Sequence, residues 1–170
     1  MTLFEIISDS RTHVPELEVT LRLLLAAGLG GAIGIDRELK DRPAGLRTHM
    51  MVALAAALFT IITFEIFYQV RQEYPNGNVD PIRIIEAVTA GVAFLAAGSI
   101  IVSGGKIQGL TTGAGMWLAG AIGLACGGGY YFVAVVAAVI SVVILSLIKR
   151  LEDRVFPPDD PSKPSKQDVT

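Results

Sequence analysis

Apolar residues dominate five stretches of the chain, near 19–35, 49–69, 84–102, 109–127 and 130–148, and polar residues crowd between them. Each run holds about 17 to 21 residues, enough at ~1.5 Å per residue to cross a hydrocarbon core of roughly 30 Å as a helix. None contains a proline. Pro15, Pro43, Pro75 and Pro81 flank or separate the runs, and Pro157, Pro158, Pro161 and Pro164 gather after the last one. Proline lacks a backbone donor and jams the preceding helical turn, so this placement suits ends and loops. The pattern predicts an all-α, polytopic membrane protein: a compact bundle of five transmembrane helices within residues 19–150. A short extracytoplasmic segment, 1–18, is expected before it, and a polar, disordered cytoplasmic tail, 151–170, after it.

The connections constrain the bundle further. Ser103-Gly104-Gly105-Lys106-Ile107-Gln108 is a short link, and Gly127-Gly128-Gly129 is barely a turn. Helices three, four and five are therefore expected as antiparallel neighbours. Between the first two runs lies a charged stretch, Asp36-Arg37-Glu38 to Arg47-Thr48, broken by Pro43-Ala44-Gly45. So much charge between two spans predicts an aqueous loop on one membrane face.

Composition agrees: 52% of the 170 residues are hydrophobic and only 18% charged, against about a quarter charged in soluble domains. The one cysteine, Cys126, excludes an intrachain disulfide and a cysteine metal cage. Residues 1–16 do not read as a cleavable leader, since Glu5, Asp9, Arg11, His13 and Pro15 interrupt them, so the first helix is expected to serve as insertion signal and permanent span. Basic residues set the orientation. An outside amino terminus places Arg37, Lys40, Arg42, Arg47, Lys106 and the basic tail in the cytoplasm, leaving Arg11, Arg71 and Arg83 outside.

Small residues form two helical stripes. Ala26, Gly30 and Gly34 repeat every four residues in the first run, and Gly115, Ala119, Gly123 and Gly127 in the fourth. In lipid, helices associate where small residues let backbones approach. The stripes suit packing within the chain first, then a homo-oligomer interface or a conduction path. Gly28-Leu-Gly30-Gly31-Ala-Ile-Gly34 imitates a dinucleotide fingerprint, but Ile33 breaks it and no strand precedes it.

Arg22, Glu65 and Glu86 are the ionisable residues inside the apolar spans. Charge within a membrane is expensive, so each needs a partner, water, or a reach to the interface. Arg22 pairing with Glu65 or Glu86 would offset part of the cost, and snorkelling of each to the interface is an equal alternative. Near the charged loop, Asp36 at a helix carboxyl end opposes the helix dipole and calls for a cation: Arg37, Arg47 or a metal. Asp36, Glu38, Glu65 and Glu86 are the weak candidates for holding Mg²⁺, which takes oxygen ligands. With Arg37, Lys40, Arg42 and Arg47 all nearby, an Asp–Arg network is the favoured reading. Thr111 and Thr112 open the fourth helix, where a threonine caps free N–H groups; the alternative is an anion held there by the dipole. No nucleophile sits beside a base, so no catalytic residue, cofactor or nucleic-acid partner is expected.

Three blocks of residues carry a further signal. The first is Gly34-Ile-Asp36-Arg37-Glu38 with Ala44-Gly45-Leu46-Arg47-Thr48-His49. The second runs from Asp80-Pro81 through Gly91, Phe94-Leu95 and Gly98. The third joins Gly109-Leu110-Thr111-Thr112 to Trp117, Gly123 and Gly127. Together these blocks resemble the MgtC/SapB family of bacterial inner-membrane proteins, and the resemblance implies a five-helix domain in the inner membrane, linked to growth under magnesium limitation, stress adaptation and virulence. It implies a protein that regulates other membrane proteins, the ATP synthase among them, more than a magnesium transporter; direct cation passage is the alternative. Its motif residues map to Asp36, Arg37, Gly45, Arg47, Thr48, Gly91, Gly98, Gly109, Thr111, Thr112 and Trp117. Two features depart from the family: Ala93 and Ala96 replace glycines, and the match covers the membrane domain without the larger carboxyl-terminal cytoplasmic domain. The bilayer, a second copy and other inner-membrane proteins are the expected partners.

Overall fold

Pro15 sits at the start of the first helix, α1 (Glu16–Glu38), with Glu16 and Glu18 in its first turn and Arg37 in its last. Both placements complement the helix dipole. The computed structural model describes residues 12–75, 77, 79–103 and 106–148; the expected tail, 151–170, and residues 1–11 of the expected amino-terminal segment lie outside the described residues. Asp41 takes a left-handed turn after α1, and α2 (Leu46–Glu73) follows as the longest helix, with 28 residues. The third helix, α3 (Arg83–Gly98), has 16 residues. Asp80 accepts the Ile82 N–H at 2.9 Å just ahead of it. The fourth, α4 (Leu110–Gly127), is joined by a tight glycine turn to α5 (Tyr131–Val143), which continues into a π-helical turn at Ile144–Ile148.

The expected third span, 84–102, stops at Gly98 instead, and the fold is not purely helical. An antiparallel hairpin of β1 (Ile101–Ser103) and β2 (Lys106–Gln108) follows, with Ile101 opposite Gln108 and Val102 opposite Ile107. Ile101, Val102 and Ile107 are β-branched and flank Gly104-Gly105, a combination that favours a hairpin over a helix. Gly109 closes its base at φ 90°, where a side chain would strike the Ser99 carbonyl oxygen.

Helix α2 is the centre of the bundle. From one side, the position of a side chain on Gly34 lies 2.7 Å from the Leu46 Cα, and that of Gly30 lies 2.6 Å from the His49 carbonyl oxygen. From the other, Gly123 of α4 closes on the Ala53 carbonyl, and a side chain on Gly127 would lie 2.5 Å from that of Ala57. Gly115 faces His49, and Ala119 is fully buried in the core with Ala26, Ala53, Ala57, Ile122 and Cys126. Close backbone approach thus supplies the dispersion contacts that hold α1, α2 and α4 together.

Helix α3 is seated more loosely. It meets α4 where Val92 covers Gly120 and Ala96 covers Gly113, but Gly91 and Gly98 face open space. Phe94 is 81% exposed. A groove of about 670 Å³ between α3 and α4 is lined by Val88, Val92, Trp117 and Leu124, among others. Helices α1, α2 and α4 are long and apolar enough to cross a membrane, and Tyr131–Ser146 forms a shorter apolar helix. The outward surface is correspondingly apolar, with Leu24, Phe59, Phe94, Phe132 and Val139 exposed.

Candidate functional site

At the end of the bundle where α1 turns into α2, polar side chains from α1, α2, α4 and the π-helical turn come together. Lys40 Nζ donates to both oxygens of Asp36, at 2.6 and 2.8 Å. An acid four residues before a lysine is the favourable helical order. The same ammonium donates to the Leu145 carbonyl at 2.9 Å, and the Ser146 hydroxyl donates to Asp36 Oδ1 at 2.9 Å. The carboxylate and its lysine therefore pin the π-helical turn, over a hundred residues away in sequence, to the end of α1.

Arg37 points the other way. It is only 4% exposed, and its Nη2 donates to Thr112 Oγ1 at 3.1 Å. Its Nε is buried with no acceptor among the described residues. Glu38 accepts the Leu46 N–H at 2.9 Å, so an anion satisfies and electrostatically complements the start of α2. Gly45 leaves room for this contact: a side chain at that position would push the Glu38 carboxylate aside. His49, 0% exposed, lies 2.9 Å from the Gly45 carbonyl through Nδ1. Donation from Nδ1 leaves Nε2 as an acceptor, which abuts Gly115 and has no partner among the described residues.

This arrangement corrects two expectations. Asp36, Arg37 and Arg47 do not form one network: Asp36 takes Lys40 and Ser146, while Arg47 is exposed and makes no ion pair among the described residues. Thr112 does not cap α4, which has no side-chain cap; its hydroxyl is turned to Arg37, and Thr111 is exposed. Thr48 is likewise exposed, and Trp117 lines the groove beside α3.

The opposite end holds the other ionisable residues. Glu65, 8% exposed, accepts the backbone N–H groups of His13 and Val14 at 2.7 and 3.0 Å. It anchors the segment leading into α1. Of the two alternatives for Arg22, pairing with Glu65 or Glu86 does not occur. Arg22 reaches Glu18 at 2.6 Å, the Tyr131 hydroxyl at 3.0 Å and the Gly127 carbonyl at 2.6 Å, joining α1 to the turn between α4 and α5. Glu86 is exposed in the first turn of α3, where the helix dipole favours it. Asp36, Glu38, Glu65 and Glu86 are thus spread over both ends and are not brought together. Among the described residues no three His, Cys, Asp or Glu side chains stand close enough to share a metal ion.

Sequence reasoning missed Lys40, Ser146, Glu18 and Tyr131. The i,i+4 spacings of Asp36–Lys40 and Glu18–Arg22 were available as a signal. The links to Ser146, Tyr131 and Thr112 bridge distant segments and left no local trace.

A helical membrane bundle, sealed by glycines and carrying a polar cluster at one end, defines the class. The chain belongs to the MgtC family, whose model matches residues 23–154. It is 38% identical over 139 residues, 82% of its length, to the Escherichia coli (strain K12) protein named "Putative magnesium transporter YhiD". It is 36% identical over 78% of its length to Protein SapB of Bacillus subtilis (strain 168), and 35% over 72% to Protein MgtC of Brucella abortus (strain 2308). The match spans 64%, 59% and 48% of those relatives' own lengths. No solved structure matches the chain.

Proposed function

We propose that this chain is a multi-pass inner-membrane protein, with five spans and its carboxyl terminus in the cytoplasm, that serves magnesium homeostasis or stress adaptation by acting on other membrane proteins. It is a non-enzymatic regulator in this reading. The magnesium link rests on family membership and on the name of the Escherichia coli relative. The regulatory mode rests on how the acids are used. Asp36, Glu38 and Glu65 are each committed to lysine, hydroxyl or backbone donors, and the seams of α1 and α4 against α2 are closed by backbone contact. A transported cation needs oxygen ligands in succession along a path, and these acids sit at opposite ends with a close-packed apolar core between them.

Direct passage of Mg²⁺ or another cation is the second reading, favoured by the exposed carboxylate of Glu86 in the first turn of α3. Growth of a magnesium-limited host separates the two. The regulatory reading predicts that the wild type and Glu86→Gln restore growth equally. Loss of rescue by a stably inserted Glu86→Gln supports passage instead. Reporters fused at residues 42 and 78 are expected to fall in the cytoplasm and periplasm respectively; the reverse pattern overturns the orientation.

A further inference from the structure

Arg37 presents an electrostatic problem that its hydrogen bond to Thr112 does not solve. A buried guanidinium carries a full positive charge, and a neutral hydroxyl offsets little of the cost of removing it from water. The adjacent acid, Asp36, is directed at Lys40 and Ser146. The loop then brings a second cation close: the Arg42 N–H bonds back to the Arg37 carbonyl at 3.1 Å, and Arg42 makes no ion pair among the described residues. The loop thus keeps two arginines side by side, and neither makes an ion pair among the described residues.

Both line a cavity of about 470 Å³ at the amino end of α4, within the range of small-molecule sites. Gln108 and Thr111 complete its polar side, and Leu110 and Ile144 contribute apolar surface; no acidic residue is among its lining. The 18-residue helix α4 opens onto this cavity without a side-chain cap. Its first backbone N–H groups lack intrahelical acceptors, and its dipole is positive there. A buried arginine that lines the cavity, a second arginine beside it and an uncapped helix start bring positive charge and donors to the same space.

The geometry points to a binding site for a phosphate group, held by Arg37 and Arg42 at the amino terminus of α4. Arginine forks and helix amino termini are the two common protein partners of phosphate oxygens. The mixed polar and apolar lining accommodates the headgroup of an anionic phospholipid, and the polar side alone suits a soluble phosphate. The site exists whether or not the protein regulates a partner, so it stands apart from the reading above.

The test is calorimetric titration of the full chain in a phosphate-free maltoside detergent, in two arms: short-chain phosphatidylglycerol and inorganic phosphate. Saturable binding is expected in at least one arm; the lipid arm alone identifies a headgroup site, and the phosphate arm alone or both arms a site open to soluble phosphate. Arg42→Ala, in an exposed loop, is expected to weaken binding about ten-fold while leaving helical content unchanged. Arg37→Gln is expected to weaken it at least as much. Arg47→Ala removes an exposed cation outside the cavity and is expected to leave the affinity unaltered. Absence of saturable binding in both arms overturns the site. So does an equal loss on Arg47→Ala and Arg42→Ala, because that marks diffuse attraction to a basic loop.

Discussion

Arg37 Nη2 donates to Thr112 Oγ1 at 3.1 Å, tying the last turn of α1 to the first turn of α4 across the central helix α2. The two residues are 75 positions apart, and both are almost fully buried. The bond locks two glycine-bearing helices at the end where the charged loop leaves the bundle.

Thr112→Val keeps the shape of the side chain and removes the acceptor. A buried charge donor then loses its partner, at a cost of about 1–3 kcal/mol. Thermal unfolding in detergent is expected to show a clear drop for Thr112→Val and almost none for Thr111→Val, whose side chain is exposed. Equal midpoints for the two variants would contradict the role given to this bond.

The glycines separate into two kinds. A methyl group at Gly34 or Gly123 meets backbone atoms of α2, so alanine there is expected to destabilise by roughly 1–3 kcal/mol through forced separation of the helices. At Gly91 nothing lies within 4 Å. Alanine at that site is expected to be neutral or to stabilise by about 0.5–1 kcal/mol, because it favours the helix. Denaturant titration of the three variants checks this order, and comparable losses at all three sites would refute it.

Glu38 and Gly45 act as one device. Glu38→Gln weakens the charge at the start of α2, and Gly45→Ala displaces the carboxylate altogether. Losses of about 0.5–2 kcal/mol are expected for either change. The double variant is expected to lose less than the two single losses combined, since both act on the same bond to the Leu46 N–H. Strict additivity in a double-mutant cycle would show that the two residues work separately.

Much of this architecture is legible in the hydropathy pattern, and the exceptions have physical causes. The five helices coincide closely with the five apolar runs because a chain in lipid must satisfy its own backbone groups, so helix and hydropathy go together. The rule fails at Ile101-Val102, where apolar residues continue the third run but pair with Gln108 and Ile107 in a hairpin. Hydropathy alone does not distinguish a β-branched strand from the end of a helix. At the polar cluster, Asp36–Lys40 follows from helical spacing, whereas Asp36–Ser146 and Arg37–Thr112 depend on which helices become neighbours. Thr112 illustrates the difference. Its place at a helix start suggests a cap, but the side chain is turned inward because a buried guanidinium lies beside it and offers a charged donor.

The central proposal is that Asp36, Glu38 and Glu65 serve to hold the bundle together and that no acid in it carries ions through. Flux of Mg²⁺ into liposomes reconstituted with the full chain tests this most directly. The account predicts uptake no faster than in protein-free vesicles, for the wild type and for Asp36→Asn and Glu86→Gln alike. Saturable uptake by the wild type that either substitution abolishes, with the variant still folded and inserted, would contradict it.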